Sequence, residues 1–186
     1  MPRASTDARR YAEAAFQVAM EREAAERGAV DAWNAALARA AAVYADERVA
    51  RVMTNPTLAR VARQEVLQRA LVEPLPTPIL NLIGLLMQRR RIELLPLVAA
   101  EFQRLVDRRN GVTSATITSA SPLADDERHA LAERLTLLTG GPVRLTARVD
   151  PALIGGVVVR LGDRLFDGSV RGRLERLRAR LVSGAL

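Results

Sequence analysis

The chain has 186 residues and a formal net charge of +7, and all 28 of its basic residues are arginine. It contains no cysteine and a single histidine, His129, so disulfides, thiolate metal sites and a histidine-based zinc site are excluded. Aromatic residues make up 3% of the chain, too few for the stacking platforms of a single-strand nucleic-acid binder. The length suits one large domain or two small ones.

The sequence predicts a soluble protein, although one that could sit beside a membrane. Its longest apolar run, 79–87, is interrupted by Asn81 and is far shorter than the roughly 20 residues that span a bilayer. No apolar segment of the kind found in signal peptides follows the first arginine.

Six helices are predicted before residue 110, and the starts of the first five are marked by a residue that can cap a helix or by a proline. They begin at or beside Asp7, Asp31, Asp46, Thr57, Thr77-Pro78 and Ile92. Their marked ends are Gly28, Asn55-Pro56, about Arg90, and Arg109 followed by Gly111. Short connections between helices of this kind predict a helical bundle.

Apolar residues at helical spacing supply the candidate core positions of these helices. They are Trp33, Leu37, Ala40 or Ala41, and Tyr44 in the second helix; Leu58, Val61, Val66, Leu67 and Leu71 in the fourth; and Leu94, Leu95, Val98, Phe102, Leu105 and Val106 in the sixth.

Two of the predicted helices are more apolar than a bundle core requires. The small-residue face of the first and the nearly all-apolar fifth contain Tyr11, Ala14, Ala15, Val18, Ile79, Leu82, Ile83 and Leu86. Core packing is the usual reason for such stripes. Small residues also let another backbone approach, so a groove for an incoming amphipathic helix is the alternative interpretation.

After Gly111 the pattern changes to alternating strands and helices. A strand is predicted over 112–118, a helix from Ser121-Pro122 to Gly140-Gly141, and a half-buried strand over 143–149. The predicted class is therefore α+β, with an amino-terminal six-helix bundle over 1–110 followed by a small α/β carboxy-terminal domain over 111–186.

The end of the chain reads as turn, hairpin, turn and basic helix. Asp150-Pro151 marks a turn, and Gly155-Gly156 allows a bulge or close backbone approach before the valines at 157–159. Gly162-Asp163 turns this strand back onto 164–166. Asp167-Gly168 forms a second turn, and Ser169 is placed to cap the last helix.

The last helix has one apolar face and one arginine face. The apolar residues are Val170, Leu174, Leu177 and Leu181; the arginines are Arg171, Arg173, Arg176, Arg178 and Arg180. Three interpretations of the arginine face stay open: a solvated surface, a contact for an acidic partner, and a nucleic-acid contact. The last is the weakest, because no aromatic residues or groove-reading motif accompany the arginines.

No constellation of residues predicts catalysis, a cofactor or a metal. Asp125, Asp126 and Glu127 are adjacent on a helix and fan apart, and their place in its first turn suits the helix dipole. His129 has no acid or nucleophile that spacing would place beside it. Gly155-Gly156 lacks the Gly-Lys-Ser/Thr ending of a phosphate-binding loop, so backbone geometry explains both glycines.

Several stretches resemble the delta subunit family of bacterial ATP synthase, the equivalent of the mitochondrial oligomycin-sensitivity-conferring protein. Residues 150–156 read Asp-Pro-Ala-Leu-Ile-Gly-Gly, and residues 166–174 read Phe-Asp-Gly-Ser-Val-Arg-Gly-Arg-Leu. Residues 10–16 resemble the family's first-helix motif, and residues 91–96 resemble the start of its sixth helix. The signature positions are Asp150, Gly155, Gly156, Asp167, Gly168, Ser169, Arg171 and Gly172.

The resemblance implies a six-helix bundle, a smaller α/β domain and a non-catalytic role in the peripheral stalk. It implies that an alpha-subunit amino-terminal segment docks on helices one and five, and that the ends of the b-subunit dimer contact Arg173, Arg176 and Arg180. It also implies a peripheral position on the cytoplasmic face of the bacterial plasma membrane, with no membrane insertion, cofactor or nucleic acid. The alternative from another class is a basic nucleic-acid-binding or ribosome-associated protein.

The chain departs from the family pattern before the sixth helix. The family usually has Glu-Asn at this turn, whereas this chain has Gln88-Arg89-Arg90. We therefore expect a differently shaped turn.

Overall fold

The computed structural model describes the backbone of residues 3–183 and the side chains of residues 6–182. Within these residues it contains eight α-helices and one four-stranded sheet, which confirms the predicted α+β class. The chain divides into two compact units between Val106 and Asp107, four residues before the predicted boundary. Among the described residues, no helix combines the length and the apolar character that a bilayer span requires.

The helices of the first unit share one apolar core. Their bounds are α1 Arg3–Glu23, α2 Ala29–Tyr44, α3 Glu47–Thr54, α4 Arg60–Ala70, α5 Thr77–Gln88 and α6 Leu95–Arg109, with a 3-10 turn at Ile92–Leu94. Leu37, Ile83 and Phe102 are fully buried in this core. The rings of Phe16 and Phe102 meet edge to face with centroids 5.6 Å apart, which fixes α1 against α6.

The predicted cap and end of the first helix are wrong. Asp7 lies inside α1, and its carboxylate pairs with the Arg91 guanidinium at 3.0 Å. The helix ends at Glu23, whose carboxylate accepts hydrogen bonds from the Gly28 and Val30 amides at 3.1 and 2.9 Å. The second helix starts at Ala29, two residues before Asp31. Glu23 thus satisfies two backbone amides at the start of α2 that have no partner within that helix.

The connection from α3 to α4 contains one confirmed cap and one misplaced start. Asp46 caps α3 by accepting a hydrogen bond from the Arg48 amide at 2.8 Å, as predicted. Asn55 accepts from both the amide and the hydroxyl of Thr57, at 3.0 and 2.7 Å. This Asn side-chain turn occupies Thr57, so α4 begins only at Arg60.

The candidate core of the fourth helix is therefore only partly correct. Leu67 is fully buried, whereas Val66 and Leu71 are half-buried. Leu58 and Val61 are exposed. Both precede or begin the helix, so the helical spacing assumed from Thr57 onward does not orient them inward.

A Schellman motif ends α5 in the stretch that departs from the family pattern. The Arg91 amide donates to the Leu86 carbonyl at 2.8 Å, and the Arg90 amide donates to the Met87 carbonyl at 3.1 Å. Arg90 has φ of 55°, in the left-handed region that this motif requires and that glycine usually occupies. Arg90 therefore holds a backbone conformation that is strained for a residue with a side chain.

The second unit is a four-stranded sheet with strand order β2-β1-β3-β4. The strands are β1 Thr113–Ser119, β2 Val143–Val149, β3 Val157–Leu161 and β4 Arg164–Asp167; the helices are α7 Asp125–Thr139 and α8 Val170–Ser183. The first pair is parallel, and β3 pairs antiparallel with both β1 and β4, which confirms the predicted hairpin. Alternate residues of β1 face a small core with Leu135 and Val159.

Two details of the second unit depart from the predictions or add to them. Helix α7 starts at Asp125 rather than at Ser121-Pro122. The buried Asp107 carboxylate accepts two 2.9 Å hydrogen bonds from Arg144 Nε on β2. Asp107 is buried and the Arg144 side chain is half exposed, so this ion pair joins the end of α6 to β2.

Candidate partner-binding surfaces

A shallow groove of about 310 Å³ runs across α1, α2 and α5 in the first unit. Its lining residues are Ala14, Ala15, Val18, Trp33, Pro78, Asn81 and Leu82. The small side chains of α1 leave the helix surface open, and Val18 and Ala14 are exposed. A groove with small residues on one wall and apolar residues on the other suits an amphipathic helix.

The structure separates the predicted groove residues into those that line the groove and those that do not. Ala14, Ala15, Val18 and Leu82 line the groove. The assignment of Ile79, Ile83 and Leu86 is corrected, because all three are fully buried in the core. None of the three lines the groove. Tyr11 is half-buried against the same core and does not line the groove.

Three lining residues were not predicted to lie in the groove. Trp33 was assigned to the core, and it is buried with its surface at the groove floor. Pro78 and Asn81 lie one turn apart on the exposed side of α5. The signal available in the sequence was Asn81 itself, because a polar residue in an otherwise apolar helix marks its solvent-facing side.

The start of α8 is held by the signature residues Asp167, Ser169 and Gly172. The Ser169 amide and hydroxyl donate to the Asp167 carboxylate at 2.9 and 2.7 Å. The Gly172 amide donates to the Ser169 hydroxyl at 3.0 Å, which confirms Ser169 as the helix cap. Hydrogen bonds from Ser169 lower the pKa of the Asp167 carboxyl below its ordinary value, and the charge of Arg176 acts in the same direction.

The signature glycines are required by close approach. A Cβ on Gly172 would lie within 3 Å of the Asp167 carboxylate atoms, and one on Gly156 would lie 2.6 Å from the Gly168 carbonyl oxygen. Gly156 also has φ of 76°. The predicted close backbone approach at Gly155-Gly156 is thus confirmed. Asp150 caps the 3-10 turn Pro151–Leu153 through the Ala152 amide at 3.0 Å.

Ile154 is an isoleucine at the centre of a strained turn. Its φ and ψ are 66° and −40°, and the Gly155 amide donates to the Leu153 carbonyl at 2.7 Å. A three-residue turn of this hand is rare, and a β-branched residue in it is an outlier. The side chain is 71% exposed, beside Gly155 and Val170, whose backbones are hydrogen bonded at 3.0 Å.

Both faces of α8 are exposed in the isolated chain. The apolar residues Val170, Leu174, Leu177 and Leu181 are all exposed. On the arginine face, Arg171 pairs with Glu175 at 3.1 Å, and Arg176 donates to the Asp167 carbonyl at 3.3 Å. Arg173 and Arg180 are also exposed. Arg176 therefore anchors the helix start, whereas Arg173 and Arg180 lie on its open surface.

Three of the four acidic residues of α7 have local partners. Glu127 accepts a hydrogen bond from the Ala124 amide at 3.0 Å, Asp125 lies 3.6 Å from Arg128, and His129 lies 3.5 Å from Glu133. Within the part of the chain that the structure describes, no cluster of three His, Cys, Asp or Glu residues could hold a metal ion. These contacts support the reading of the acids as helix-start residues.

Comparisons with known proteins agree over nearly the whole chain. The family model described as ATP synthase delta (OSCP) subunit matches residues 8–181. "ATP synthase subunit delta" of Marinobacter nauticus is 37% identical over 98% of this chain and 100% of its own length. The same-named protein of Bordetella avium is also 37% identical, with the same coverage. A chain in a cryo-EM structure of the Toxoplasma gondii mitochondrial ATP synthase hexamer has a TM-score of 0.69 at 21% identity, covering 94% of this chain and 97% of that chain, which shows a shared fold.

Fold and surfaces together define a two-unit α+β protein with an apolar groove in its first unit and an exposed apolar helix face, that of α8, in its second. The chain belongs to the ATP synthase delta (OSCP) subunit family. The family resemblance expected from the sequence is confirmed. The alternative of a basic nucleic-acid-binding or ribosome-associated protein finds no support among these relatives.

Proposed function

We propose that this chain is a non-catalytic subunit of the peripheral stalk of a proton-translocating ATP synthase. The observation that carries the proposal is the presence of two exposed apolar surfaces in separate units, the groove over α1, α2 and α5 and the apolar face of α8. One surface would hold the catalytic head and the other the b subunits. The chain would then keep the head from turning with the rotor.

The helical unit, a six-helix bundle, would bind the amino-terminal segment of an alpha subunit. The groove suits such a segment because Ala14 and Ala15 allow a close backbone approach, while Val18 and Leu82 offer apolar contact. Apolar docking of this kind gives affinity that depends little on salt. An adaptor under torque needs slow dissociation, so interfaces of standard size or larger are expected.

The carboxy-terminal unit would hold the ends of the b-subunit dimer through α8. Its apolar stripe would supply affinity, and the surrounding arginines would steer the approach and fix the register. The chain would lie on the cytoplasmic face of the bacterial plasma membrane as a peripheral component. It needs no cofactor, metal or nucleic acid for this role.

The groove is tested by calorimetric titration of the full chain with a synthetic peptide of the same organism's alpha-subunit amino terminus. We expect saturable one-to-one binding, a negative heat-capacity change and little difference between about 50 mM and about 300 mM salt. Ala14→Arg should weaken binding at least about tenfold, because it places bulk and charge in the groove. Ala14 is exposed, so the substitution should leave the fold intact.

The matched control is Ala35→Arg, the same substitution at an exposed helical position of α2 that does not line the groove. It should bind the peptide like the unaltered chain, and circular dichroism should show equal helix content in both variants. Wild-type binding by Ala14→Arg would move the site elsewhere in the molecule. Absence of any binding by the unaltered chain would overturn the alpha-subunit assignment.

A further inference from the structure

The apolar stripe of α8 follows the spacing of a coiled-coil seam. Val170, Leu174, Leu177 and Leu181 are separated by four, three and four residues. This is the a/d pattern of a heptad repeat, with Val170 and Leu177 at d and Leu174 and Leu181 at a. The stripe is narrow, since each intervening position is polar, glycine or alanine. A narrow seam is typical of a helix that pairs with one other helix along its axis.

The seam is uncovered in the folded chain. Val170, Leu174, Leu177 and Leu181 are 39%, 53%, 55% and 63% exposed. The start of α8 is tied to its own unit, because the Val170 amide donates to the Gly155 carbonyl at 3.0 Å and Gly172 packs against the Asp167 carboxylate. A regular apolar stripe along a charged helix, left open by the chain's own described residues, indicates a site for a second helix.

Arginine occupies all four positions that flank this seam. In the heptad register, the e positions are Arg171 and Arg178, and the g positions are Arg173 and Arg180. Flanking residues of this kind form the interhelical ion pairs that set partner choice. A second copy of α8 would bring arginine against arginine, whether the helices ran parallel or antiparallel. The flanks therefore disfavour self-pairing and complement a helix with Asp or Glu at its own flanking positions.

We propose that α8 is one strand of a heteromeric coiled coil, and that the other strand is an acidic amphipathic helix with apolar a/d residues and Asp or Glu at e and g. The inference rests on the proposed function, because this helix would be the end of a b subunit. It reassigns one of the expected contacts. Arg176 lies at position c, away from the seam, and its guanidinium is directed to Asp167.

The first test uses two designed peptides of four heptads with leucine at a and d. One has glutamate at every e and g position, and the other has lysine there. Each is titrated into the full chain at concentrations up to about 1 mM, because a seam of two heptads is far smaller than a standard interface. We expect the glutamate peptide to bind, more weakly as salt is raised, and the lysine peptide not to bind.

Variants at exposed positions distinguish binding along the seam from nonspecific charge attraction between α8 and the peptide. Leu177→Lys should weaken binding of the glutamate peptide at least about tenfold, whereas Ala179→Lys at position f should change it by less than about twofold. The double variant Arg173→Glu/Arg178→Glu leaves two arginines and two glutamates at the flanks, so it should bind the glutamate and lysine peptides within about twofold of each other. Equal binding of the two peptides by the unaltered chain, or equal effects of Leu177→Lys and Ala179→Lys, would overturn the seam.

The second test replaces the peptide with the soluble part of the same organism's b subunit. We expect the same order of variants. If it binds the unaltered chain and Leu177→Lys equally well, the seam inference is wrong and the stalk assignment stands. If it binds no form of the chain while the glutamate peptide still obeys the variants, the b-subunit assignment is wrong and the seam stands.

Discussion

Among the described residues, two that are not glycine have positive φ angles: Arg90 at 55° and Ile154 at 66°. Neither conformation is suggested by its residue type, since arginine is a good helix former and isoleucine a good strand former. Each is imposed by its surroundings. Arg90 closes the Schellman motif of α5, and Ile154 is held between the capped turn after Asp150 and the backbone bond of Gly155. Left-handed backbone costs such residues about 1 to 2 kcal/mol.

The strain at Arg90 predicts that Arg90→Gly stabilises the helical unit by about 0.5 to 1 kcal/mol. The free energy of the relieved left-handed backbone strain is larger than the free-energy cost of the extra conformational entropy that glycine gives the unfolded chain. Urea unfolding followed by the fluorescence of Trp33, the single tryptophan, measures the change in this unit.

Arg89→Gly is the matched control, because Arg89 precedes Arg90 and has a negative φ of −83°. There glycine brings only its entropy cost, so this variant should unfold at a lower urea concentration than the unaltered chain. Equal midpoints for the two glycine variants would show that Arg90 carries no backbone strain.

At the scale of elements, the start of α8 depends on one ionised carboxylate. Hydrogen bonds from Ser169 hold the pKa of Asp167 below its ordinary value. A group whose pKa is lower in the folded chain stabilises the fold above its unfolded pKa, about 3.9 for Asp. That stabilisation is lost as pH falls through the lower, folded pKa. The cap of α8 should therefore loosen in acid before the helix itself loses its backbone bonds.

This pH dependence is measured by following the Ser169 and Gly172 amide resonances from about pH 6 to about pH 2. Both should shift as Asp167 takes up its proton, and Asp167→Asn should remove the shift. Asp163→Asn, an exposed residue of the neighbouring turn, should leave it unchanged. A shift of equal size in Asp167→Asn would show that another group controls the cap.

The type of each element was predictable from the sequence because the spacing of apolar residues and the positions of turn residues indicate the same element over most of the chain. The hairpin, the Ser169 cap and the apolar stripe of α8 all follow from local patterns. Helix starts were not predictable where a distant or neighbouring side chain competes for the cap. Asp7 pairs with Arg91, and Asn55 holds Thr57 in a turn.

Exposure was the least predictable property of the candidate sites. Apolar residues recur at helical spacing in both α5 and α8, yet Ile79 and Ile83 are buried and Leu174 and Leu177 are exposed. Periodicity identifies the face of a helix but not what covers it. Whether an apolar helix face is buried depends on which other elements pack against it. Helix α8 follows the last strand, and no further element in the described residues comes after it to cover the seam.

At the scale of the whole molecule, the groove and the seam draw their residues from different units, each with its own apolar core. The groove residues Ala14, Trp33 and Leu82 belong to the unit that ends at Val106, and the seam belongs to the unit that begins at Asp107. An adaptor of this kind joins two partners mechanically. It does not require that one partner change the affinity of the other.

We therefore predict that the two binding events are thermodynamically independent. The dissociation constant of the alpha-subunit peptide, measured by calorimetry on the full chain, should change by less than about twofold when the soluble b-subunit part is present at saturation. This corresponds to a coupling below about 0.5 kcal/mol, as expected for sites that share no residues. Ala14→Arg should weaken only peptide binding, and Leu177→Lys should weaken only b-subunit binding. A change of fivefold or more, about 1 kcal/mol, would mean that the chain transmits a signal between the catalytic head and the stalk as well as joining them.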